Sequence, residues 1–147
     1  MKGMAGTDSV ALRQDMALVM AESSGFARLL MLLFGAMGYG LLEVIWRGHT
    51  HWSMLLAGGI CLLALDHMDR NCGGLSEGGR VWCAALLITA VELVFGVVFN
   101  IVLGADVWDY TSVPYNFCGQ ICLPYFLIWV GLAAVLVRLV RWLRRAF

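Results

Sequence analysis

Four long apolar segments, separated by short polar stretches, make up most of the chain; they cover residues 29–46, 52–65, 81–103 and 121–137. About 20 apolar residues cross a bilayer as a helix that rises about 1.5 Å per residue, so the third segment is long enough by itself. The first and fourth segments reach that length with their flanking residues. The pattern predicts an all-α fold, an integral membrane four-helix bundle with spans at about 28–47, 52–68, 80–103 and 119–140.

The second segment, Trp52–Leu65, is short for a span. It either crosses the bilayer thinly or re-enters on the same face. We favour a crossing helix, because Asp66, His67 and Asp69 can extend it into the headgroup layer.

The composition agrees with a membrane protein. The 147 residues are 61% hydrophobic and 14% charged, with a mean hydropathy of +0.82. Soluble domains have about 45–50% apolar and about 25% charged residues. Membrane lipid is therefore the expected surrounding, and a nucleic-acid binder is excluded as a description of the whole chain. Ten Lys and Arg balance ten Asp and Glu, so the net charge does not indicate partners.

The positions of the basic residues predict the orientation. With four spans, the N-terminus, the loop between the second and third spans and the C-terminus share one side, and nine of the ten Lys and Arg lie there. Basic residues concentrate on the cytoplasmic side, so both termini are predicted to be cytoplasmic, and only Arg47 lies outside. The arginines from Arg138 to Arg145 are expected to mark the inner interface and to attract anionic lipid.

Residues 1–25 form a predicted cytoplasmic or interfacial segment in front of the transmembrane domain, residues 26–147. Ser9–Ala21 mixes apolar side chains with Arg13 and Asp15. This mixture favours an N-terminal amphipathic helix that lies on the inner leaflet.

Glu92 is the twelfth of the 23 residues from 81 to 103, at the middle of the third span. A carboxylate at that depth is costly and normally faces protein, water or a partner. It belongs to a polar stripe at helical spacing, made up of Thr89, Glu92, Gly96 and Asn100. The stripe is either a packing seam, with Gly96 allowing close approach, or the lining of a cavity.

The first span carries a second polar face, made up of Tyr39, Glu43 and Arg47. Glu43 lies near the outer end of its helix, at about the depth of Asn100, and Glu92 lies about 12 Å deeper at 1.5 Å per residue. Glu43 either anchors the helix end through an ion pair with Arg47 or belongs to an outward-facing polar vestibule that leads down to Glu92.

Three glycines, Gly35, Gly38 and Gly40, lie near the middle of the first span. Small residues let helices approach closely, so helix packing is the first interpretation. A hinge or a broken helix is the alternative.

Two polar loops face the predicted outer side. His49 and His51 lie in the short turn after the first span, and Asp109, Tyr110 and Asn116 lie in the longer loop before the fourth. The aromatic residues of these loops are typical of an interfacial belt. A belt does not account for the polar residues, so we expect the longer loop to fold back over the bundle and shape the vestibule.

Motifs for catalysis and metal binding are missing from the sequence. It has no GxSxG, HExxH or Walker motif, so the chain has no ATPase site of its own. Two histidines and the pair Cys118 and Cys122 include zinc-ligand types, but no spacing brings them together, and we expect no metal and no cofactor. The two cysteines are expected to open the fourth helix, where a disulfide between them is near the upper geometric limit.

The residues of these spans and of the long loop resemble one family. Its description is the bacterial "putative ABC-transporter type IV permease", and the similar residues are Glu43, Glu92, Asn100, Val107-Trp-Asp-Tyr, Pro114, Asn116 and Gly119-Gln-Ile-Cys-Leu123. The resemblance covers about residues 34–130, and its specific part is Trp-Asp-Tyr…Pro-x-Asn-x-x-Gly-x-Ile-Cys. It implies a small multi-pass permease component of a bacterial inner membrane. His51-Trp-Ser-Met54 replaces the Asn-Arg-Gly-Phe-Leu segment that many relatives carry before the second span.

The leading hypothesis is a permease-like or ligand-binding protein, in which Glu43 and Glu92 bind a cation, a proton or a small cationic substrate. Desolvation favours a protonated carboxyl group, which would let Glu92 exchange a proton for a cation. The candidate substrate-binding residues are Glu43, Glu92, Asn100, Asp109, Tyr110, Asn116, Arg47, His49, His51 and Tyr39. Because four spans make a small pathway, we expect a homodimer, a cytoplasmic ATPase or another membrane subunit as partner.

Two alternatives stay open, and both are less favoured. A membrane-embedded enzyme acting on a lipid or isoprenoid would use Glu43 or Asp109 as general base, and requires both histidines to converge with them on one pocket. A non-catalytic structural or regulatory subunit would use its buried polar residues for packing, and requires Glu92 to be capped by protein donors with no cavity beside it.

Overall fold

A computed structural model describes the backbone of residues 4–146 and the side chains of residues 25–146. Within these residues the chain is mostly helical, and the all-α prediction is confirmed. The elements in chain order are α1 (Met4–Arg47), α2 (Trp52–Asn71), α3 (Glu77–Phe95), a π-helical turn (Gly96–Val102), β1 (Asn116–Phe117), β2 (Ile121–Cys122) and α4 (Leu123–Ala146).

Three stretches of these helices are long and apolar enough to cross a membrane: 25–47, 77–102 and 123–146. α2 lacks that uniform apolarity, because Asp66, Asp69 and Arg70 lie in its last turns. Its 20 residues nevertheless extend about 30 Å at about 1.5 Å per residue. The predicted continuation of this helix through Asp69 is confirmed.

α1 is a single helix from Met4 to Arg47. The segment predicted to lie on the inner leaflet, Ser9–Ala21, is therefore continuous with the first span in the backbone. The amphipathic face predicted for it lies outside the described side chains.

The bundle has two distinct ends. Residues 48–51 and 103–122 lie at one, which we call the loop end, together with the starts of α2 and α4. The other end carries a set of paired charges, which we call the ionic cluster: Asp66, Asp69, Glu77, Arg80, Arg141 and Arg144.

The hydrophobic core has two parts. The larger part joins Met31 of α1 and Leu65 of α2 to residues of α3 and α4 such as Ile88 and Val137. The smaller part lies at the loop end and consists of Met54, Ala57, Phe95, Val107 and Trp108. Because Val107 and Trp108 belong to the 103–122 loop, that loop packs into the bundle, and the predicted fold-back is confirmed.

Close helix packing explains two of the three glycines in the first span. A Cβ atom on Gly35 would collide with the carbonyl oxygen of Gly58 in α2, and one on Gly40 would collide with Leu55. A Cβ atom on Gly38 would meet nothing within 4 Å. The packing interpretation is therefore confirmed at Gly35 and Gly40, and Gly38 faces open space.

The predicted start of the fourth helix is wrong. α4 begins at Leu123, not at 119, and Cys118 and Cys122 belong to a small antiparallel hairpin in which Asn116 pairs with Cys122. Cys118 cannot open an α-helix there because its φ is +51°, outside the right-handed helical region. The third span also departs from a regular α-helix at Gly96, and the Leu103 amide bonds to the Val98 carbonyl, five residues back, at 3.0 Å. All five cysteines are free.

Candidate functional site

Glu92 is buried near the middle of the bundle and is held by two neutral donors. The Tyr110 hydroxyl donates to its Oε1 at 2.9 Å, and the Trp129 indole Nε1–H donates to its Oε2 at 2.8 Å. None of the ion pairs formed by residues 25–146 involves Glu92. Its charge, when ionised, therefore has hydrogen bonds but no neutralising cation within the described part of the chain.

Tyr110 reaches Glu92 from the loop, and its position is fixed by packing. Its ring stacks on the Tyr125 ring, with 4.5 Å between the centroids. Burial, with a further contribution from nearby Glu92, raises the pKa of the Tyr110 phenol. The hydroxyl is consequently a permanent hydrogen-bond donor at physiological pH.

Glu43 is also buried, but it is paired with a cation. Arg47 donates to Glu43 Oε1 at 3.0 Å, and the Thr50 hydroxyl donates to Oε2 at 2.6 Å. The second Arg47 amino group donates to the Val107 carbonyl at 2.6 Å. The ion pair thus ties the end of α1 to the loop, and the anchoring role considered for Glu43 is present.

A cavity of about 540 Å³ lies beside both carboxyl groups. Both acids line it. Six of the ten candidate residues from the sequence are in its lining: Tyr39, Glu43, Arg47, Glu92, Asp109 and Tyr110. The remaining lining side chains are mainly apolar and come from α1, α2, the loop and α4. Glu92 therefore has both protein donors and a cavity beside it. The packing alternative requires the donors without a cavity.

Asn100 lies outside the cavity lining and fastens the loop to the π-helical turn. Its side-chain oxygen accepts from the Val107 amide at 2.7 Å. Its side-chain nitrogen donates to the Trp108 carbonyl at 2.9 Å and to Gln120 Oε1 at 2.8 Å. Three bonds, to residues 107–108 and to Gln120, make Asn100 a positioning residue for the loop.

Asn116 and Gly119 shape the hairpin of the same loop. The Asn116 side chain donates to the carbonyls of Thr111 and Val113 and accepts from the Gly119 amide. Gly119 has a φ of +67°, and a Cβ atom there would lie 2.7 Å from Thr111 Cγ2. The Asn and Gly of the sequence motif are thus required by the loop conformation that delivers Tyr110 to Glu92.

The two histidines do not reach the cavity. His49 Nδ1 lies 3.0 Å from the Arg47 carbonyl, and His51 caps the start of α2 through the Ser53 amide. Asp109 does line the cavity, but hydrogen bonds from the Thr111 amide and hydroxyl hold the pKa of its carboxyl below the ordinary value. A carboxylate of that kind is a weak general base at neutral pH. The convergence that the enzyme hypothesis requires is absent from the described residues.

The polar stripe, which runs along α3 and the π-helical turn, is the seam against which the loop packs. A Cβ atom on Gly96 would lie 2.5 Å from Gln120 Oε1 and 3.1 Å from Trp108 Cζ2. Glu92 and Asn100 bind the same loop one turn to either side, while the Thr89 hydroxyl bonds to its own helix at the Ala85 carbonyl. The seam is real, and the element packed against it is a loop and not another helix.

Three contributors to the site escape sequence reasoning. Trp129 looks like an apolar residue of the fourth span, and only its indole N–H, the one polar group of that side chain, marks it as a donor. Thr50 lies between the two histidines, and nothing in the sequence pattern marks its hydroxyl as a donor to Glu43. Gln120 is 7% exposed and is a buried polar residue within the motif itself. No group of three His, Cys, Asp or Glu side chains in residues 25–146 is arranged to hold a metal ion.

The three long apolar helix stretches define the class as a membrane protein. Residues 18–147 match the family described as "Putative ABC-transporter type IV". The match covers most of the chain, so the protein belongs to this family, and the resemblance over residues 34–130 is confirmed and extended at both ends. No curated protein and no solved structure matches the chain.

Proposed function

We propose that this protein is a permease-like membrane component that binds a cation, a proton or a small cationic substrate at Glu92. One observation carries the proposal: Glu92 is a buried acid with neutral donors only, and it lines a cavity of about 540 Å³. A carboxylate in a low-dielectric site is stabilised by a nearby cation, and without one it is favoured in the protonated form. The site can therefore exchange a proton for a cation.

Glu43 has a different part in this proposal. Arg47 already neutralises it at 3.0 Å, so its carboxylate has less to gain from an added cation than Glu92. The pair holds the loop through the Val107 carbonyl and sets the polarity of the cavity mouth. Glu92 is the binding group, and Glu43 shapes the way to it.

The proposed topology has four membrane-crossing helices in a bacterial inner membrane, with both termini in the cytoplasm. The length of α2, about 30 Å, equals the thickness of a typical hydrocarbon core. Trp46 and Trp52 are 73% and 61% exposed at the loop end, as expected for aromatic side chains at the headgroup level. The distribution of basic residues supports an outer position for that end.

A partner completes the proposal, because the chain has no nucleotide-binding motif of its own. The family description favours a cytoplasmic ATPase, and the end of the bundle that carries the ionic cluster is the one that faces the cytoplasm in this topology. A second copy of the chain is the alternative partner that would enlarge the pathway.

Cation binding to the full-length protein in phosphatidylcholine nanodiscs tests the proposal. The probes are Na⁺, K⁺, Mg²⁺ and methylammonium, and calorimetry measures binding together with proton release. We expect at least one probe to bind and Glu92→Gln to weaken it at least tenfold. Asp106→Asn is the matched control, because Asp106 is an exposed carboxylate at the same end. If every probe binds equally well to wild type and Glu92→Gln, the carboxyl group is structural and the proposal fails.

A further inference from the structure

A second cavity adjoins the first and has a different character. Its volume is about 340 Å³, and its lining is almost wholly hydrocarbon. It extends away from the loop end, since its α4 residues continue to Val135 and Leu139, whereas those of the first cavity end at Leu132. The bundle therefore holds one cavity near the loop whose lining includes polar and charged groups, and an almost wholly apolar cavity beneath it.

Glu92 lies where the two cavities meet. Six residues line both: Tyr39, Leu42, Met54, Glu92, Trp129 and Leu132. From Tyr125 to Leu139 the joined space follows α4 for about 21 Å at about 1.5 Å per residue. A single extended molecule can occupy both cavities with a charged group beside the carboxyl.

The apolar cavity opens sideways between α1 and α4. These two helices barely touch, although α1 packs extensively on α2, and α4 packs on α3. Leu41 and Ile45 on one side of the opening and Val135 on the other are 62%, 73% and 61% exposed. In a helix that crosses a membrane, such exposed apolar side chains face lipid.

We propose that the ligand is an amphiphilic cation, a lipid-like amine that enters from the bilayer between α1 and α4. Its ammonium group lies at Glu92, and its single hydrocarbon chain fills the apolar cavity. Charge complementarity at Glu92, the hydrocarbon lining and the lateral opening all select this chemistry over a hydrated inorganic ion. The inference rests on the proposed function, because it takes the binding of a cation at Glu92 as given.

A series of alkylammonium ions tests the inference on the full chain in phosphatidylcholine nanodiscs. Methyl-, butyl-, hexyl- and octylammonium are compared, with partitioning into protein-free nanodiscs subtracted. We expect affinity to rise about fourfold for each CH₂ group buried, which corresponds to about 0.8 kcal/mol. Glu92→Gln should weaken the whole series at least tenfold, and octanol, which lacks the charge, should bind at least tenfold more weakly than octylammonium.

Filling the apolar cavity is the second part of the test. Gly38 lines it and has open space in front of it, so Gly38→Leu should remove the dependence on chain length and leave methylammonium affinity within twofold. Gly131→Leu is the matched control, because Gly131 is also helical and unobstructed and lines neither cavity. If Gly38→Leu fails to fold, Val135→Phe with Val94→Phe as control makes the same comparison.

The outcomes separate the two proposals. Equal affinity for methyl- and hexylammonium, with no effect of Gly38→Leu or Val135→Phe, overturns the amphiphile and leaves the cation site standing. Octanol binding as tightly as octylammonium, with no effect of Glu92→Gln, overturns the cation site and the inference with it. Binding that rises with chain length, requires Glu92 and loses its dependence on chain length when the apolar cavity is filled supports both.

Discussion

The Tyr110 hydroxyl and the Glu92 carboxyl group, 18 residues apart, lie 2.9 Å from each other and join the loop to the last turn of α3. This bond places a loop residue deep within the bundle, in the wall of the larger cavity. The position of the loop and the environment of the buried acid therefore depend on each other, so that a change in one alters the other.

Removing only the Tyr110 hydroxyl tests that link. We expect Tyr110→Phe to lower the free energy of unfolding by about 1–3 kcal/mol, the usual cost of leaving a buried acceptor without its donor, because the stacked ring remains. Tyr115→Phe is the control, since Tyr115 is 81% exposed, and its effect should stay within about 0.5 kcal/mol. Denaturant unfolding in detergent measures both. Equal stability of the two variants would show that the bond to Glu92 contributes nothing.

Asp69 is the centre of the ionic cluster, where it binds Arg80, Arg141 and Arg144. We expect Asp69→Asn to cost about 2 kcal/mol, because three partly buried guanidinium groups lose their carboxylate. Glu77→Gln is the control; Glu77 pairs with Arg141 but is mostly exposed, and its loss should be clearly smaller. Chemical unfolding at pH 7 measures the difference, and a larger effect at Glu77 contradicts the central role of Asp69.

The same residue predicts a pH dependence. Burial opposes the ionisation of Asp69, but hydrogen bonds from Arg141 and Arg80 outweigh it and hold its pKa below the ordinary value of 3.8. A carboxyl group whose pKa is lower in the folded protein stabilises the fold. This stabilisation is fully present above the pKa of the unfolded state and is lost as the pH falls through the pKa of the folded state. We expect the gap in unfolding free energy between wild type and Asp69→Asn to be constant from pH 7 to about 5 and to close below about pH 4. A gap that closes instead as the pH rises would refute this assignment.

Gly35 and Gly38 predict opposite effects of the same substitution. We expect Gly35→Ala to destabilise the protein by about 1–3 kcal/mol, because the new methyl group collides with the Gly58 carbonyl. Gly38→Ala should be neutral or stabilising by up to about 1 kcal/mol, since the methyl group enters open space and alanine favours a helix. Thermal unfolding compares the two. Similar melting temperatures would contradict the close approach of α1 and α2.

The natural cysteines test the orientation. Cys118 is exposed in the loop that is proposed to lie outside, and Cys72 lies in the turn proposed to lie inside. In single-cysteine variants in intact bacteria, we expect a membrane-impermeant maleimide to label Cys118 directly and Cys72 only after permeabilisation. The reverse pattern would place the loop end in the cytoplasm.

The sequence predicts those structural features that depend on residues within one segment. The helices follow from apolar runs, and the depth of Glu92 follows from its place in such a run. The donors on Glu92 lie 18 and 37 residues away, and hydrophobic spacing carries no information about pairs so far apart. The change to a π-helical turn at Gly96 cannot be predicted from the sequence for a similar reason. It accompanies the contact of Gly96 with Gln120, which lies in the loop.

The ionic cluster reduces the positive charge that α4 presents to the membrane surface. α4 has four arginines. Acids from α2 and α3 pair with Arg141 and Arg144, whereas Arg138 and Arg145 form no ion pair among the described residues. Attraction to anionic headgroups amounts to about 1 kcal/mol for each basic residue near the surface. The end of α4 therefore serves chiefly to bind α2 and α3, and its attraction to acidic lipids is weaker than four unpaired arginines would give.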